Sequence, residues 1–524
     1  MSTAAAPARA WAPGVNHWII AASVMLATFM EVLDTSVANV ALPHIAGNLS
    51  ATTDESTWVL TSYLVSNAMI LPATNWFSHY FGRKRFLIAC VTVFTLSSAL
   101  CGVATSLPML IFARVLQGAG GGALQPISQA ILLESFPPDK RGQAMALFGV
   151  GVIVAPIIGP TLGGWITDNY SWRWIFYINI PIGVLAVLMT SAFIQDPPYI
   201  REQKPGRIDY IGFGLMTVGL AALQVMLDKG QEDDWFSSSF ITWLAVITFV
   251  ALAAFVVWEL RSKEPIVNLR VLKNRNFATG TMLITAMGIV LYGLTSLLPL
   301  FLQTLLGYPA TASGMAVSPR GIGAVLSMII VGRLVGRVNV RYLIMFGFAV
   351  LAFSTHRLAG LNLDIAMSNI VWPMVVSGFA MGFIFVPLTT MAMGTLPNEQ
   401  IGNATGVFNL MRNIGGSIGI SAMSTLLSRG AQAHQAVIAP HLTPYDPAFQ
   451  QRLEQIQGAI GAAGAGGLVS PQALASVYGE VVRQSMLLSF MDNFRLLALL
   501  CLLCVPVALL FRRVRAKGGP VAMH

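Results

Sequence analysis

The sequence predicts an all-α polytopic membrane protein with fourteen transmembrane helices. Three observations lead there. First, 55% of the 524 residues are hydrophobic and only 10% are charged, where soluble domains run at about 45–50% and about 25%. With a mean hydropathy of +0.69, a chain of this length lacks the charge to cover a soluble surface. That excludes a soluble enzyme, a disordered chain and a nucleic-acid-binding module. Second, apolar runs long enough to cross a bilayer, about 20 residues each, follow one another with short polar breaks between them. They fall at 17–41, 57–80, 86–105, 108–133, 142–167, 173–194, 209–228, 239–260, 277–304, 311–334, 341–358, 369–395, 402–428 and 489–511. Third, the basic residues are partitioned among those breaks.

With the N-terminus placed in the cytoplasm, the segments on that side hold 21 of the 31 Lys and Arg residues, and the short loops opposite hold only Arg173, Lys229 and Arg357. Lys and Arg are retained on the cytoplasmic side of a membrane. Both termini are therefore expected in the cytoplasm, as an even number of spans requires. Three arginines, Arg114, Arg320 and Arg412, remain deep inside spans.

The first run, from Trp18 to Ala41, is longer than the apolar core of a signal peptide and carries two acids, so it is read as a span. The breaks after the second and tenth runs, HYFGRKRFL (79–87) and GRLVGRVNVRYL (332–343), form a weak internal repeat eight spans apart, as in transporters built from repeated halves. The expected organisation is a six-helix bundle over 1–195, a linker with two inserted helices over 196–276, and a second six-helix bundle over 277–524. The last includes an outside loop at 429–488. Two short helices are expected in that loop, at 447–461 and 470–484, with Ser470 as N-cap and Pro471 in the first turn and GAAGAGG (461–467) as the bend between them. The loop reads either as a docking surface or as a tolerated insertion. The eleventh run is interrupted by His356 and Arg357. Cys90, Cys101, Cys501 and Cys504 all sit in apolar runs and are read as small hydrophobes, with no disulfide expected.

Charge inside a bilayer is costly, about 2.5–3.5 kcal/mol per residue on insertion scales, and marks functional paths. Glu31 and Asp34, three apart in the first run, lie on one helix face. Two acids this close in a low dielectric resist ionising together, so a carboxylate here is suited to gain and lose a proton. Arg114 opens RVLQGAGGGALQP (114–126) in the fourth run. It stays charged and needs a partner, for which Asp34 or Glu31 is the candidate. Gln117 is placed one turn on to share the network. Pro156 and Pro160, with Gly159, Gly163 and Gly164, make the fifth run small-faced and bent, suited to a hinge or sliding seam between bundles. Arg320 and Arg412, the latter with Asn409 one turn away, either complete a polar lining, bind an anionic substrate or serve as structural counter-charges. Gly415–Gly419 matches G-x-S-x-G but lies in a span, where no nucleophile elbow forms. The seven histidines are scattered, and no metal site or cofactor is expected.

Several segments together resemble one family, the fourteen-helix drug:proton antiporters of the major facilitator superfamily, EmrB/QacA type. LDTSVANVALP (33–43) looks like its first-helix motif, RVLQGAGGGALQP its fourth-helix motif and GPTLGGWITD (159–168) its antiporter motif. SWRWIFYINIPIG (171–183), LDKGQEDDWFSS (227–238) and FVPLTTMAMGTLP (385–397) add further matches. The resemblance implies a major facilitator fold, an inner-membrane location and proton-driven efflux of hydrophobic or amphipathic compounds. It implies proton coupling at Asp34 under the control of Arg114, with Glu31 an additional acid beside the motif. It also implies an EmrA-like periplasmic adaptor (membrane fusion) protein and a TolC-like outer-membrane channel as partners, with 429–488 as the docking element. Gly82, Arg83, Lys84 and Arg85 match the superfamily's cytoplasmic gating loop. The acid and arginine that usually precede it are replaced by His79 and Tyr80, and Asn75 stands where a glycine is usual, so the latch built on that acid is not expected from these positions.

Overall fold

The computed structural model describes residues 14–137, 140–197, 209–335, 337–443, 445–460 and 471–512. Arg9, Arg201, Lys204, Arg207, Arg513, Arg515, Lys517, the bend at 461–467 and Ser470 lie outside the described residues. Nineteen α-helices are described, in the order α1 (His17–Asn48), α2 (Thr53–Ile70), α3 (Thr74–Phe81), α4 (Arg83–Gly102), α5 (Leu107–Gly121), α6 (Leu124–Ser135), α7 (Arg141–Asn169), α8 (Trp174–Tyr177), α9 (Asn179–Phe193), α10 (Tyr210–Lys229), α11 (Ser239–Arg261), α12 (Arg275–Thr304), α13 (Ala310–Val317), α14 (Pro319–Leu334), α15 (Val340–Leu358), α16 (Ser368–Met393), α17 (Asn398–Ile438), α18 (Pro447–Ile460) and α19 (Pro471–Val507). The described residues contain no β-strand, only an isolated bridge between Val335 and Val338.

Among the described residues, eleven helical stretches are long and apolar enough to cross a membrane, three fewer than expected. The other three expected spans are helical but fall short of that criterion. The one at 57–80 is split around Pro72 into α2 and α3. The one at 341–358 is α15, which carries His356 and Arg357, and 402–428 lies inside the more polar α17. Some expected spans are also broken where a backbone donor or side chain is missing: 108–133 divides after the glycine run at 122–123, and 311–334 divides before Pro319. Such breaks persist in a membrane only where neighbouring helices cover them. At the opposite extreme, α7 runs unbroken through Pro156 and Pro160.

The outside loop is also more helical than expected. α17 does not stop at 428 but continues to Ile438, as 429–438 holds no proline and its Gly430 packs against Ser489 of α19. The helix expected at 470–484 runs on without interruption into the last span as α19. Between them α18 packs on α19 through Leu453, Ala473 and Val477, beside an Arg452–Glu480 ion pair at 2.5 Å.

α1 packs against α2, α6, α7 and α9, and α5 against α2 and α4. The glycine run explains the second arrangement. A Cβ at Gly118 or Gly122 would strike the backbone carbonyls of Tyr63 and Asn67 on α2, while one at Gly120 would strike Cys90 and Phe94 on α4. In the later part of the chain α12 packs on α16, α17 and α19, and α14 on α16. There a Cβ at Gly378 would meet the Arg320 carbonyl. The early and late helices meet along two seams, α7 with α14 and α16, and α17 with α3 and α6. α10 lies against both α2 and α17, with Thr61 bonded to Asp228 and Ser417 donating to Gln224.

Candidate functional site

The site is built on α1. Its middle turns present Glu31 and Asp34, 4% and 3% exposed, in separate but adjacent polar networks. Asp34 faces α5 and α9. The Arg114 guanidinium donates to its Oδ2 at 2.7 Å, and Gln117 donates to its Oδ1 at 2.9 Å. Arg114 also donates to Gln117 Oε1 at 2.7 Å and to the Val59 carbonyl at 3.0 Å, and it lies over the Tyr63 ring at 4.2 Å. Arg114 has no exposed surface. A buried ion pair gains from hydrogen bonds to the rest of both groups; Gln117 bonds both at once, while Arg114 Nη2 has no partner among the described residues.

The third donor to Asp34 is Asn179, at 2.6 Å. It also donates to the Ser98 hydroxyl at 2.9 Å, which in turn donates to the Phe176 carbonyl at 2.8 Å. Sequence reasoning passed over Asn179, although it lies in the quoted segment SWRWIFYINIPIG as the one amide in an apolar run.

Glu31 faces α2 and α6. It accepts from Tyr63 at 3.2 Å, from Asn67 at 3.3 Å and from Gln125 at 2.6 Å. Gln125 then accepts from Arg412 on α17. One turn along α6, Gln129 accepts from Asn409 at 2.6 Å. Arg412 and Asn409 thus contact the early half through two glutamines that the sequence did not single out. Arg320 is elsewhere. Fully buried, it donates to Thr295 at 3.0 Å, its other two nitrogens have no partner among the described residues, and no described carboxylate pairs with it.

The residues of the loop between α3 and α4 find acids that the sequence did not assign. Arg83 pairs with Glu134 of α6, both buried. The Lys84 backbone donates to Asp196 at 2.8 Å, its ammonium donates to the Ser191 carbonyl at 2.5 Å, and Arg85 is exposed. Gly82 takes φ +85°, and a Cβ there would lie 2.9 Å from the Asp196 carboxylate. Two acids from distant segments, Glu134 and Asp196, are therefore the partners of this loop.

Two glycines of the antiporter motif, Gly159 and Gly163, do not face the opposite half. Gly159 and Gly163 pack onto Ser36 and Val37 of α1, and the Pro156 carbonyl accepts from Ser36 at 2.9 Å. The seam across the halves uses other positions of α7: Gly142 against Val335, Ala146 against Gly332, and Gly149 against Met328 and Phe385.

A family model of the Major Facilitator Superfamily matches residues 24–420. The chain belongs to the major facilitator superfamily. Within that superfamily, the multidrug export protein EmrB of Escherichia coli is 39% identical over 484 residues, 92% of this chain and 92% of its own length. The fatty acid resistance protein FarB of Neisseria gonorrhoeae is 38% identical over 498 residues, 95% and 96% of the two chains. EmrB of Haemophilus influenzae is 38% identical over 439 residues, 84% and 86%. The crystal structure of the human organic anion transporter MFSD10 (TETRAN) superimposes with a TM-score of 0.58 over 93% of this chain and 100% of that one. At 12% identity this likeness speaks for the major facilitator fold alone. The resemblance read from the motifs extends over nearly the whole chain, which is a multi-span membrane protein of this superfamily.

Proposed function

We propose that this chain is a proton-coupled exporter of hydrophobic and amphipathic compounds in the inner membrane, with fourteen spans and both termini in the cytoplasm. In this reading residues 1–195 and 277–524 are two six-helix bundles that rock against each other around a central path, and 196–276 is the linker. The observation that carries the proposal is Asp34, a carboxylate sealed inside the first helix against one guanidinium, Arg114, at 2.7 Å. A proton arriving on Asp34 neutralises the carboxylate and removes the ionic part of that contact. Arg114 keeps its bonds to Val59 and Gln117 and its place over Tyr63, so the change falls on the contacts of α1 with α5 and, through Asn179, with α9. The membrane potential adds about 2.3 kcal/mol per charge per 100 mV, so one or two protons sustain an uphill substrate gradient without a cofactor or ATP.

Asp34→Asn in inverted vesicles tests the reading, with proton movement recorded as each compound of a substrate panel is added. The expected result is normal expression with pH-driven transport abolished, and full transport by this variant would remove Asp34 from the mechanism. The names of the EmrB and FarB relatives support export and a hydrophobic cargo. The motif resemblance supports an EmrA-like adaptor and a TolC-like channel as partners, with 429–488 as the docking element. Unchanged adaptor capture by a chain lacking 440–485 would end that part.

A further inference from the structure

A groove of about 350 Å³ lies at the arginine-rich end of the α7–α14 seam, bordered by Trp18 of α1. Its floor is closed where Ala146 meets Gly332. Its α7 wall includes Leu147 and Val150, and Leu147 lies whole numbers of turns from Ile158 and Trp165, which are 43% and 53% exposed. In a membrane-embedded helix that exposed face is the lipid face, so the groove opens sideways into the bilayer.

Its polarity is graded. Gln143 sits in the first turn of α7 and Arg333 in the last turn of α14, both at the level of the headgroups. Neither side chain has a hydrogen-bond or ion-pair partner among the described residues. Deeper in, the walls are Leu147, Val150 and Ile329. A groove open to hydrocarbon is filled from the leaflet beside it, and a cation at headgroup level favours anionic lipids there.

We propose that this groove is a binding site for an anionic glycerophospholipid of the cytoplasmic leaflet. One acyl chain lies along Leu147, Val150 and Ile329, the phosphate pairs with Arg333, and the Gln143 amide meets the glycerol ester. Because α7 and α14 belong to opposite halves, the bound lipid touches both. It therefore favours the arrangement in which the two helices are together, in proportion to its preference for that state.

The test is native mass spectrometry of the full chain released from detergent containing equal amounts of phosphatidylglycerol and phosphatidylcholine with the same acyl chains. The wild type should retain phosphatidylglycerol preferentially. Arg333→Ala should cut that preference about fivefold while still retaining lipid. Val150→Trp, which fills the tail channel, should lose the retained lipid of either class. An undiminished phosphatidylglycerol preference in Arg333→Ala overturns the proposal. So does retention of laurate in place of phosphatidylglycerol, which would make the groove a substrate portal. Retention is read without transport, so failure here leaves the export reading standing, and failure of export leaves the lipid site standing.

Discussion

Asn179 gives the Asp34 carboxylate a donor that neither charge nor periodicity announces. Its amide is within 2.6 Å of Oδ1, and its own position is fixed by Ser98. Asn179→Ala leaves that side of a buried carboxylate with one donor fewer, which costs about 1–3 kcal/mol. The expected outcome is a lower Tm in detergent together with weakened pH-driven efflux, and an unchanged Tm would show that Gln117 and Arg114 suffice. At this scale the sequence was informative where charge is involved. Glu31 and Asp34 stood out by their spacing, and Arg114 by its place in an apolar run. Asn179 and Gln125 did not stand out, because a neutral amide in a span carries no signal until its partner, 145 or 94 positions away, is known to face it. Arg320 was equally visible, yet the structure gives it a hydroxyl and no acid, so its charge alone did not indicate its company.

Close helix contact in this fold depends on which neighbouring glycine points where. Gly163 and Gly164 are adjacent in the fifth-span motif, yet a Cβ on Gly163 would lie 2.9 Å from Val37 Cγ1 and 3.1 Å from the Val37 carbonyl, while one on Gly164 finds nothing nearer than Val40 at 3.8 Å. Gly163→Leu should therefore cost about 1–3 kcal/mol by overpacking the α1–α7 contact, and Gly164→Leu should be tolerated. Thermal unfolding of the two variants side by side decides, and equal losses would mean that the contact is not the reason for the motif's glycines. The element positions followed well from hydropathy, since helix occupies every expected span. The internal breaks did not. Hydropathy averages over a window, whereas a break at Pro72, at the glycine run before Leu124 or at Pro319 is decided by one missing donor or side chain and by what packs beside it.

Across the whole molecule, the two halves are held, level with the middle turns of α1, by a short polar ladder between α6 and α17, Gln125 with Arg412 and Gln129 with Asn409. On the other side lies the small-residue seam of α7 and α14. In the proposed cycle the ladder must open for substrate to enter. Gln129→Ala and Asn409→Ala should each shift the distance between spin labels at Lys140→Cys and Tyr342→Cys toward longer values. The double variant should add little to either single one, because both remove the same bond. An unmoved distance distribution would leave the ladder without a gating role. The repeat of basic breaks suggested two halves, but it carried no information on which faces meet. That depends on glutamines without periodicity and on glycines whose partners lie on the other half.

α17 has 41 residues in one helix, about 60 Å at 1.5 Å per residue, against a hydrocarbon layer about 30 Å thick. Roughly half its length must therefore lie outside the hydrocarbon layer, braced by α19 through Gln435 with Tyr478 and His434 with Asp492. The strut is continuous with the segment that holds Asn409 and Arg412, so a slight tilt of that segment inside the membrane becomes a wide sweep at the far tip. Whatever rests on that tip would register such a tilt mechanically.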